Sequence, residues 1–173
     1  MSRHLIGLIS DTHGLVRPEC AAALAGVERI LHAGDVEGLP AHESSARRRD
    51  VLAALSRIAP VQAVYGNVDS PTDPALVERI LLTFADLRLH VSHGHELGRP
   101  TPEKLLRHYS ADIIVFGHTH RSVVHREGRR LVVNPGAAGP RRFNLRPSVA
   151  RLIIDGERVE VEIVPLSTPD IVT

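Results

Sequence analysis

The sequence predicts an α/β fold in which two facing mixed β-sheets form a sandwich flanked by helices. Up to residue 65, short apolar runs alternate with helical patterns, which is typical of parallel strands joined by right-handed crossovers. Beyond residue 77, most of the chain consists of short β-type segments separated by tight turns. The chain has 173 residues, of which 43% are hydrophobic and 24% charged, so we expect one domain spanning residues 1–173.

The first 65 residues predict the order strand, helix, strand, helix, strand. Pro18 favours the first turn of a helix. Val51, Leu52 and Leu55 would place apolar side chains on the inner face of a second helix. The predicted elements are strand Leu5–Ser10, helix Pro18–Ala25, strand Ile30–Ala33, helix Ser44–Arg57 and strand Val61–Tyr65.

The pattern then changes to hairpins. Ala85 and Asp86 form a tight turn between two β segments, and Thr101 followed by Pro102 predicts the start of a third helix. The predicted elements are strands Glu78–Phe84 and Leu87–Ser92, a helix from Thr101 to about Tyr109, and strands Ile113–Phe116, Ser122–Glu127, Leu131–Asn134, Val149–Asp155 and Val159–Pro165. We expect the two halves of the chain to supply one sheet each.

Composition excludes several function classes. A formal charge of +1 gives no overall field that would draw the chain onto extended nucleic acid or an anionic membrane. No apolar run approaches the ~20 residues of a membrane span, and the first residues enter a strand without a signal-peptide pattern. Cys20 is the single cysteine, so the chain forms no internal disulfide. We therefore expect a cytoplasmic protein without a membrane partner.

Polar residues of metal-ligand type directly follow five of the predicted strands. Because ligands bind at the carboxyl ends of strands in α/β sheets, these residues should meet in one site that resembles a two-metal centre. Oxygen and imidazole donors without thiolates suit Mn²⁺, Fe²⁺, Co²⁺, Ni²⁺ or Zn²⁺. The strand-end motifs are Asp11-Thr12-His13, Gly34-Asp35, Gly66-Asn67, His93-Gly94-His95 and Gly117-His118-Thr119-His120.

The order of these motifs resembles the calcineurin-like metallophosphoesterase superfamily, and specifically its small single-domain bacterial and archaeal phosphodiesterases. The resemblance covers almost the whole chain and implies the two-sheet metallophosphoesterase fold. It also implies two divalent metal ions per chain, with Mn²⁺ the first choice for assays. The implied ligands are Asp11, His13 and His120 on one metal, Asn67, His93 and His118 on the other, and Asp35 bridging both.

Such a centre would attract a phosphodiester anion. Two divalent ions bring four positive charges and the two aspartates return two negative ones, so the site stays positive. The implied function is a metal-dependent phosphodiesterase in which a metal-bridging hydroxide attacks phosphorus without a covalent intermediate. Asp35, Asn67 and His95 are the candidate catalytic residues, and Asn67, His95 and Arg141 the candidate contacts to a small phosphodiester or nucleotide.

Some residues leave alternatives open. Larger superfamily members carry a histidine directly after the motif asparagine, where this chain has Val68. His95 would then either act as a general acid or line the cleft. Asp69 would either orient the loop around Asn67 or form an ordinary turn. Asn134 would either hold the loop before Pro135 or simply end a strand.

The arginine loop around residues 141–146 also has two readings. Arg141 is a candidate phosphate contact because guanidinium forks match phosphate oxygens, whereas Arg142 and Arg146 equally suit a solvated loop.

Two other functions compete with the phosphodiesterase. One is a protein-binding scaffold with little or no catalysis, since a close superfamily relative serves mainly as an assembly subunit. All seven ligand positions of this chain carry ligand-type side chains, which favours the enzyme. The other is a nuclease, for which the chain offers no basic stripe to hold a duplex. Exposed edge strands would also allow a homodimer.

Overall fold

The computed structural model describes residues 3–38 and 44–166. Within these residues the chain forms ten strands, three α-helices and one short 3-10 helix (His95–Leu97), and each strand and α-helix begins and ends within two residues of its prediction. The strands are β1 (Arg3–Ile9), β2 (Arg29–His32), β3 (Val61–Ala63), β4 (Ile80–Phe84), β5 (Leu87–Val91), β6 (Ile113–Val115), β7 (Val123–Glu127), β8 (Arg130–Asn134), β9 (Ser148–Asp155) and β10 (Arg158–Pro165). The helices are α1 (Glu19–Ala23), α2 (Ser44–Ser56) and α3 (Pro102–His108).

The predicted sandwich of two mixed sheets is confirmed. The first sheet has the order β10-β9-β1-β2-β3, with β1, β2 and β3 parallel. The second has the order β4-β5-β6-β8-β7, with β5, β6 and β8 parallel. The parallel centre of each sheet directs several carboxyl ends to one edge, which is where the motif residues lie.

One detail of the predicted topology is wrong. The last hairpin, β9 and β10, joins the first sheet instead of the second, because β9 pairs antiparallel with β1 from Arg3 to Leu8. Its apolar residues fit this place. Ala150, Leu152 and Ile154 face the layer between the sheets, where they bury their side chains against the second sheet. Alternation identified the hairpin as β structure but did not specify its partner strand.

The core has three layers. The central layer lies between the sheets and contains side chains such as Leu8, Val91 and Val115. A second layer packs the outer face of the first sheet against α1 and α2, and a third packs the second sheet against α3. Adjacent residues of the central strands therefore point into different apolar layers, which explains their nearly continuous hydrophobic sequence.

Local sequence signals explain the helix ends. Thr101 caps α3 by accepting a hydrogen bond from the Lys104 amide, and Pro102 occupies the first turn. Cys20 is buried in α1, and burial raises the pKa of its thiol to about 11, so it is a core residue and not a nucleophile. Within the part of the chain that the structure describes, no helix is long and apolar enough to cross a membrane.

Candidate metal centre

The first cluster at the strand ends contains Asp11, His13 and His120. The Nε2 atoms of His13 and His120 are 3.3 Å apart, and Asp11 Oδ1 lies 3.3 Å from His120 Nε2 and 4.0 Å from His13 Nε2. Asp11 Oδ1 is buried and has no hydrogen-bond partner among residues 3–38 and 44–166, whereas Oδ2 accepts a bond from Ser10. A buried carboxylate oxygen without a donor is costly unless a cation satisfies it.

The second cluster contains Asp35, Asn67, His93 and His118. His93 Nε2 is 3.3 Å from Asp35 Oδ2 and 3.1 Å from Asn67 Oδ1. The Asn67 oxygen is also 2.9 Å from His118 Nδ1. Asp35 Oδ2 faces the first cluster as well, at 4.0 Å from His13 Nε2. One carboxylate oxygen therefore lies between the two groups, at the position expected for a bridging ligand.

Backbone carbonyls orient two of the histidine rings. His93 Nδ1 lies 2.7 Å from the Ala33 carbonyl and His13 Nδ1 lies 3.3 Å from the Glu37 carbonyl. Because a carbonyl oxygen only accepts, each Nδ1 carries the proton and donates. Each Nε2 atom is then directed into the cluster, which is the orientation that metal-binding histidines require.

The charges of the two clusters also suit a cation. Burial opposes ionisation of Asp35, but the hydrogen bond and positive charge of His93 outweigh it and lower the pKa of Asp35 to about 2. Burial likewise opposes the charge on His93, yet the hydrogen bond and negative charge of Asp35 raise the pKa of His93 to about 9. Burial lowers the pKa of His13 and of His118, which keeps both imidazoles neutral at pH 7. A metal ion would replace the His93 proton.

Known proteins are similar to this chain over most of its length. The model of the calcineurin-like phosphoesterase superfamily domain matches residues 5–157. The chain belongs to this superfamily. A probable metallophosphoesterase of Methanothermobacter thermautotrophicus is 33% identical over 173 aligned residues, covering 95% of this chain and 94% of that protein. The phosphodiesterase YfcE of Escherichia coli K12 is 33% identical over 117 residues, covering 62% of this chain and 59% of YfcE.

Solved structures agree on the fold. The crystal structure of Vps29 from Chaetomium thermophilum matches with a TM-score of 0.73 at 22% identity, covering 96% of this chain and 100% of that chain. At this identity the match shows the shared sandwich architecture. Membership of the superfamily implies that this phosphoesterase binds divalent metal, and the donor set described above fits that expectation.

The backbone of the phosphoesterase site is strained. Five of the seven predicted ligands adopt positive φ angles, although none is glycine: Asp11 (53°), His13 (45°), Asp35 (53°), His118 (66°) and His120 (60°). Such conformations cost of order 1–3 kcal/mol each and persist where the surrounding structure enforces them, commonly at functional sites.

Two glycines allow the strand-end loops to approach each other. A Cβ atom on Gly66 would lie 2.0 Å from Asp35 Oδ1, and one on Gly34 would lie 2.6 Å from His93 Nδ1. Gly34 also adopts a φ of 95°, which side chains of L-residues rarely tolerate. Both motif glycines are therefore needed to bring ligand side chains together.

Asp69 orients the loops, which decides between its two sequence-based readings. Its buried carboxylate accepts hydrogen bonds from the amides of Val36 (3.1 Å), Glu37 (2.9 Å) and Gly66 (2.8 Å). These amides belong to the loops that carry Asp35 and Asn67. Asp69 therefore fixes the distance between two candidate ligands.

Asn134 has a similar role at the end of β8. Its side-chain amide donates to the Gly117 carbonyl (2.8 Å) and to Thr119 Oγ1 (3.1 Å), and its oxygen accepts from the Gly136 amide (2.9 Å). It connects the loop that carries His118 to the loop after β8. The reading in which Asn134 holds this loop is the correct one.

Sequence reasoning missed His32. This histidine is fully buried at the end of β2, where the Gly34 amide donates to its Nδ1 (3.2 Å) and its Nε2 lies 2.9 Å from Thr12 Oγ1. It joins the loops that carry Asp11 and Asp35. Its proximity to the Gly34-Asp35 motif is the one sequence signal that points to it, and this signal does not distinguish it from an ordinary core histidine.

His95 lies at the edge of the second cluster. Its ring centroid is 5.3 Å from that of His93 and 6.4 Å from that of His118, and its side chain is 29% exposed. Its Nδ1 atom lies 3.6 Å from Glu96 Oε2. Burial lowers the pKa of His95. The ring is therefore next to the candidate ligands and partly open to solvent.

The arginine loop lies beside the first cluster. Arg141, Arg142 and Arg146 line a small recess with His120. The positive charge of Arg142 also contributes to the lowered pKa of His13, after the larger effect of burial. Nothing in the sequence distinguishes Arg142 from its neighbours, so only the structure identifies this electrostatic effect on His13.

Proposed function

We propose that this protein is a metal-dependent phosphodiesterase that hydrolyses a small phosphodiester at a dinuclear centre. The observation that carries the proposal is the position of Asp35 Oδ2, which is 3.3 Å from His93 Nε2 and 4.0 Å from His13 Nε2. One oxygen facing two separate donor groups is the arrangement that a shared ligand of two ions requires.

Each ion would have its own donors. Asp11, His13 and His120 would hold one ion, and Asn67, His93 and His118 the other. Two bound divalent ions, Mn²⁺ in our first choice, would lower the pKa of a water and polarise the phosphoryl oxygens. Fe²⁺, Co²⁺, Ni²⁺ and Zn²⁺ suit the same nitrogen and oxygen donors.

The remaining contacts would come from the rim of the site. The Asn67 amide is exposed beside His118, so it can reach a phosphoryl oxygen as well as an ion. His95 would bind the phosphate from the side of the second cluster. Arg141 would approach from the side of His120, since both line the same recess. Val68 offers no proton to the leaving group.

The test is metal-dependent hydrolysis of bis-p-nitrophenyl phosphate. We expect turnover with Mn²⁺, loss of turnover with EDTA, and about two metal ions per chain by elemental analysis. Asp35→Asn should lose at least about a hundredfold in kcat/KM and part of the bound metal, because it removes the shared charge. The matched control is Asp86→Asn, in the exposed β4–β5 turn at the other end of the sheet.

A protein-binding scaffold is the second candidate, because Vps29 structures share this fold with a TM-score up to 0.73. The same experiment separates the two functions. A folded, metal-loaded protein that does not cleave the diester would support the scaffold. Metal-dependent turnover that falls in Asp35→Asn alone would support the enzyme.

A further inference from the structure

A recess of about 500 Å³ adjoins the candidate metal centre at His118. His118 faces it from one side while its Nδ1 atom lies 2.9 Å from Asn67 Oδ1 on the other. The recess is in the size range of small-molecule sites. Its polar lining includes Arg99, Arg121, Thr101 and Thr119, and its apolar lining includes Phe116 and Pro100.

The polar part of the recess is positively charged. Arg99 and Arg121 both line it, and none of its lining residues in the described part of the chain is an aspartate or glutamate. Neither guanidinium makes a hydrogen bond or ion pair within the portions of the chain that the structure describes, residues 3–38 and 44–166. Both arginines are exposed, so their donors can turn toward a bound anion. Thr101 and Thr119 add side-chain hydroxyls at the same wall.

The apolar part of the recess is fixed to the metal-site loop. Phe116 is only 1% exposed, and Pro100 is buried beside it. A Cβ atom on Gly94 would lie 3.2 Å from Pro100 and 3.4 Å from Phe116, so the His93-Gly94 backbone packs directly on this wall. This wall of the recess is therefore rigid and lies next to the second cluster.

We propose that this recess is a substrate subsite that binds a second phosphate, carried on one ester group of the phosphodiester. The inference rests on the proposed function and names its substrate class: a nucleotide-like diester with an additional terminal phosphate. The second cluster would hold the phosphorus that is attacked. Arg99 and Arg121 would bind the further phosphate, whose oxygens match guanidinium donors.

The kinetic test compares two esters with the same leaving group. The p-nitrophenyl ester of thymidine 5′-phosphate is assayed with and without a 3′-phosphate, and p-nitrophenol release gives kcat/KM for each. We expect the phosphorylated ester to be preferred about tenfold. This is the combined effect of two exposed charge contacts that are each worth a few-fold. Arg99→Gln with Arg121→Gln should bring the ratio to about one.

The control is Arg57→Gln, an exposed arginine directly after α2, far from the recess in the fold. It should retain the tenfold preference. A parent ratio near one, or a preference that survives the double substitution, would overturn the subsite.

A binding measurement separates the subsite from the hydrolysis. Titration calorimetry of the Mn²⁺-loaded protein should show thymidine 3′,5′-bisphosphate binding about tenfold more tightly than thymidine 5′-phosphate. If neither ester is cleaved but this difference exists and needs both arginines, the phosphate site stands and the proposed hydrolysis falls. If both esters are cleaved equally and both nucleotides bind equally, the hydrolysis stands and the subsite falls.

Discussion

Replacing His32 with glutamine should make the free energy of unfolding of the metal-free protein depend less on pH between pH 7 and pH 4. The reason is the hydrogen-bond chain around the ring. The Gly34 amide donates to Nδ1, so the single ring proton lies on Nε2 and is donated to Thr12 Oγ1. The Thr12 hydroxyl in turn donates to the Val36 carbonyl at 3.2 Å. A second proton on Nδ1 would face the Gly34 N–H and break this chain.

The pKa of His32 gives the magnitude. Burial, as the largest effect, lowers it from 6.5 to about 4, although Asp69 and Asp11 favour the charged form. Between pH 6.5 and pH 4 the unfolded chain therefore binds a proton at this residue and the folded chain does not. The free energy of unfolding must fall as the pH falls through this range. A shift of about 2.5 pKa units corresponds to about 3 kcal/mol.

The measurement is urea unfolding of the EDTA-treated protein at pH 7, 5.5 and 4, followed by circular dichroism because the chain has no tryptophan. Other buried histidines titrate in the same direction, so the prediction concerns the difference between parent and variant. That difference should shrink by about 3 kcal/mol from pH 7 to pH 4. Leu24→Ala, which removes a fully buried apolar side chain, should give a constant difference. A constant difference for His32→Gln would refute the reasoning.

Two further substitutions and one comparison of substrates have expected outcomes. Gly66→Ala, whose Cβ would lie 2.0 Å from Asp35 Oδ1, should reduce bound metal and diesterase activity at least tenfold. Gly26→Ala strains a backbone with a φ of 77°, but its Cβ would meet no atom of the described residues within 4 Å, so it should leave the bound metal unchanged; equal metal contents in the two variants would contradict this. Arg130→Met should lower the free energy of unfolding by about 2 kcal/mol in urea titrations, since Arg130 donates to three backbone carbonyls at and after the end of α3; an unchanged midpoint would disprove its role. Because Val68 supplies no general acid, kcat/KM should be at least a hundredfold higher for bis-p-nitrophenyl phosphate than for glycerol phosphate, and comparable values would count against the mechanism.

The strand-end placement of the motif residues could be predicted because it depends on local patterns. Apolar runs fix where a strand ends, and parallel pairing then brings consecutive strand ends to one edge. Asp35 and His93 are 58 residues apart in the sequence, yet the strand that precedes each one positions it. Both residues are buried in the structure, Asp35 with 3% and His93 with 1% of its surface exposed.

What the sequence did not predict depends on contacts between distant segments. The alternation of apolar and polar residues in the β9–β10 hairpin would fit either sheet. Its place beside β1 depends on the packing of its apolar side chains in the central layer. His32 is a second example, in which the role of one side chain depends on contacts between distant segments. Its hydrogen bonds join Thr12 and Gly34, and neither bond is visible in a strand pattern.

The backbone strain at the site and the unsatisfied carboxylate oxygen of Asp11 have the same origin. Loops that bring Asp11 and Asp35 close to imidazole nitrogens force both aspartates into left-handed backbone conformations, at a cost of order 1–3 kcal/mol each. Burying Asp11 Oδ1 without a donor adds a further cost. Neither aspartate belongs to the three apolar clusters of the sandwich, so these costs are not part of its apolar packing. Bringing the donor atoms together therefore lowers the stability of the metal-free protein, and binding of a cation would restore that stability.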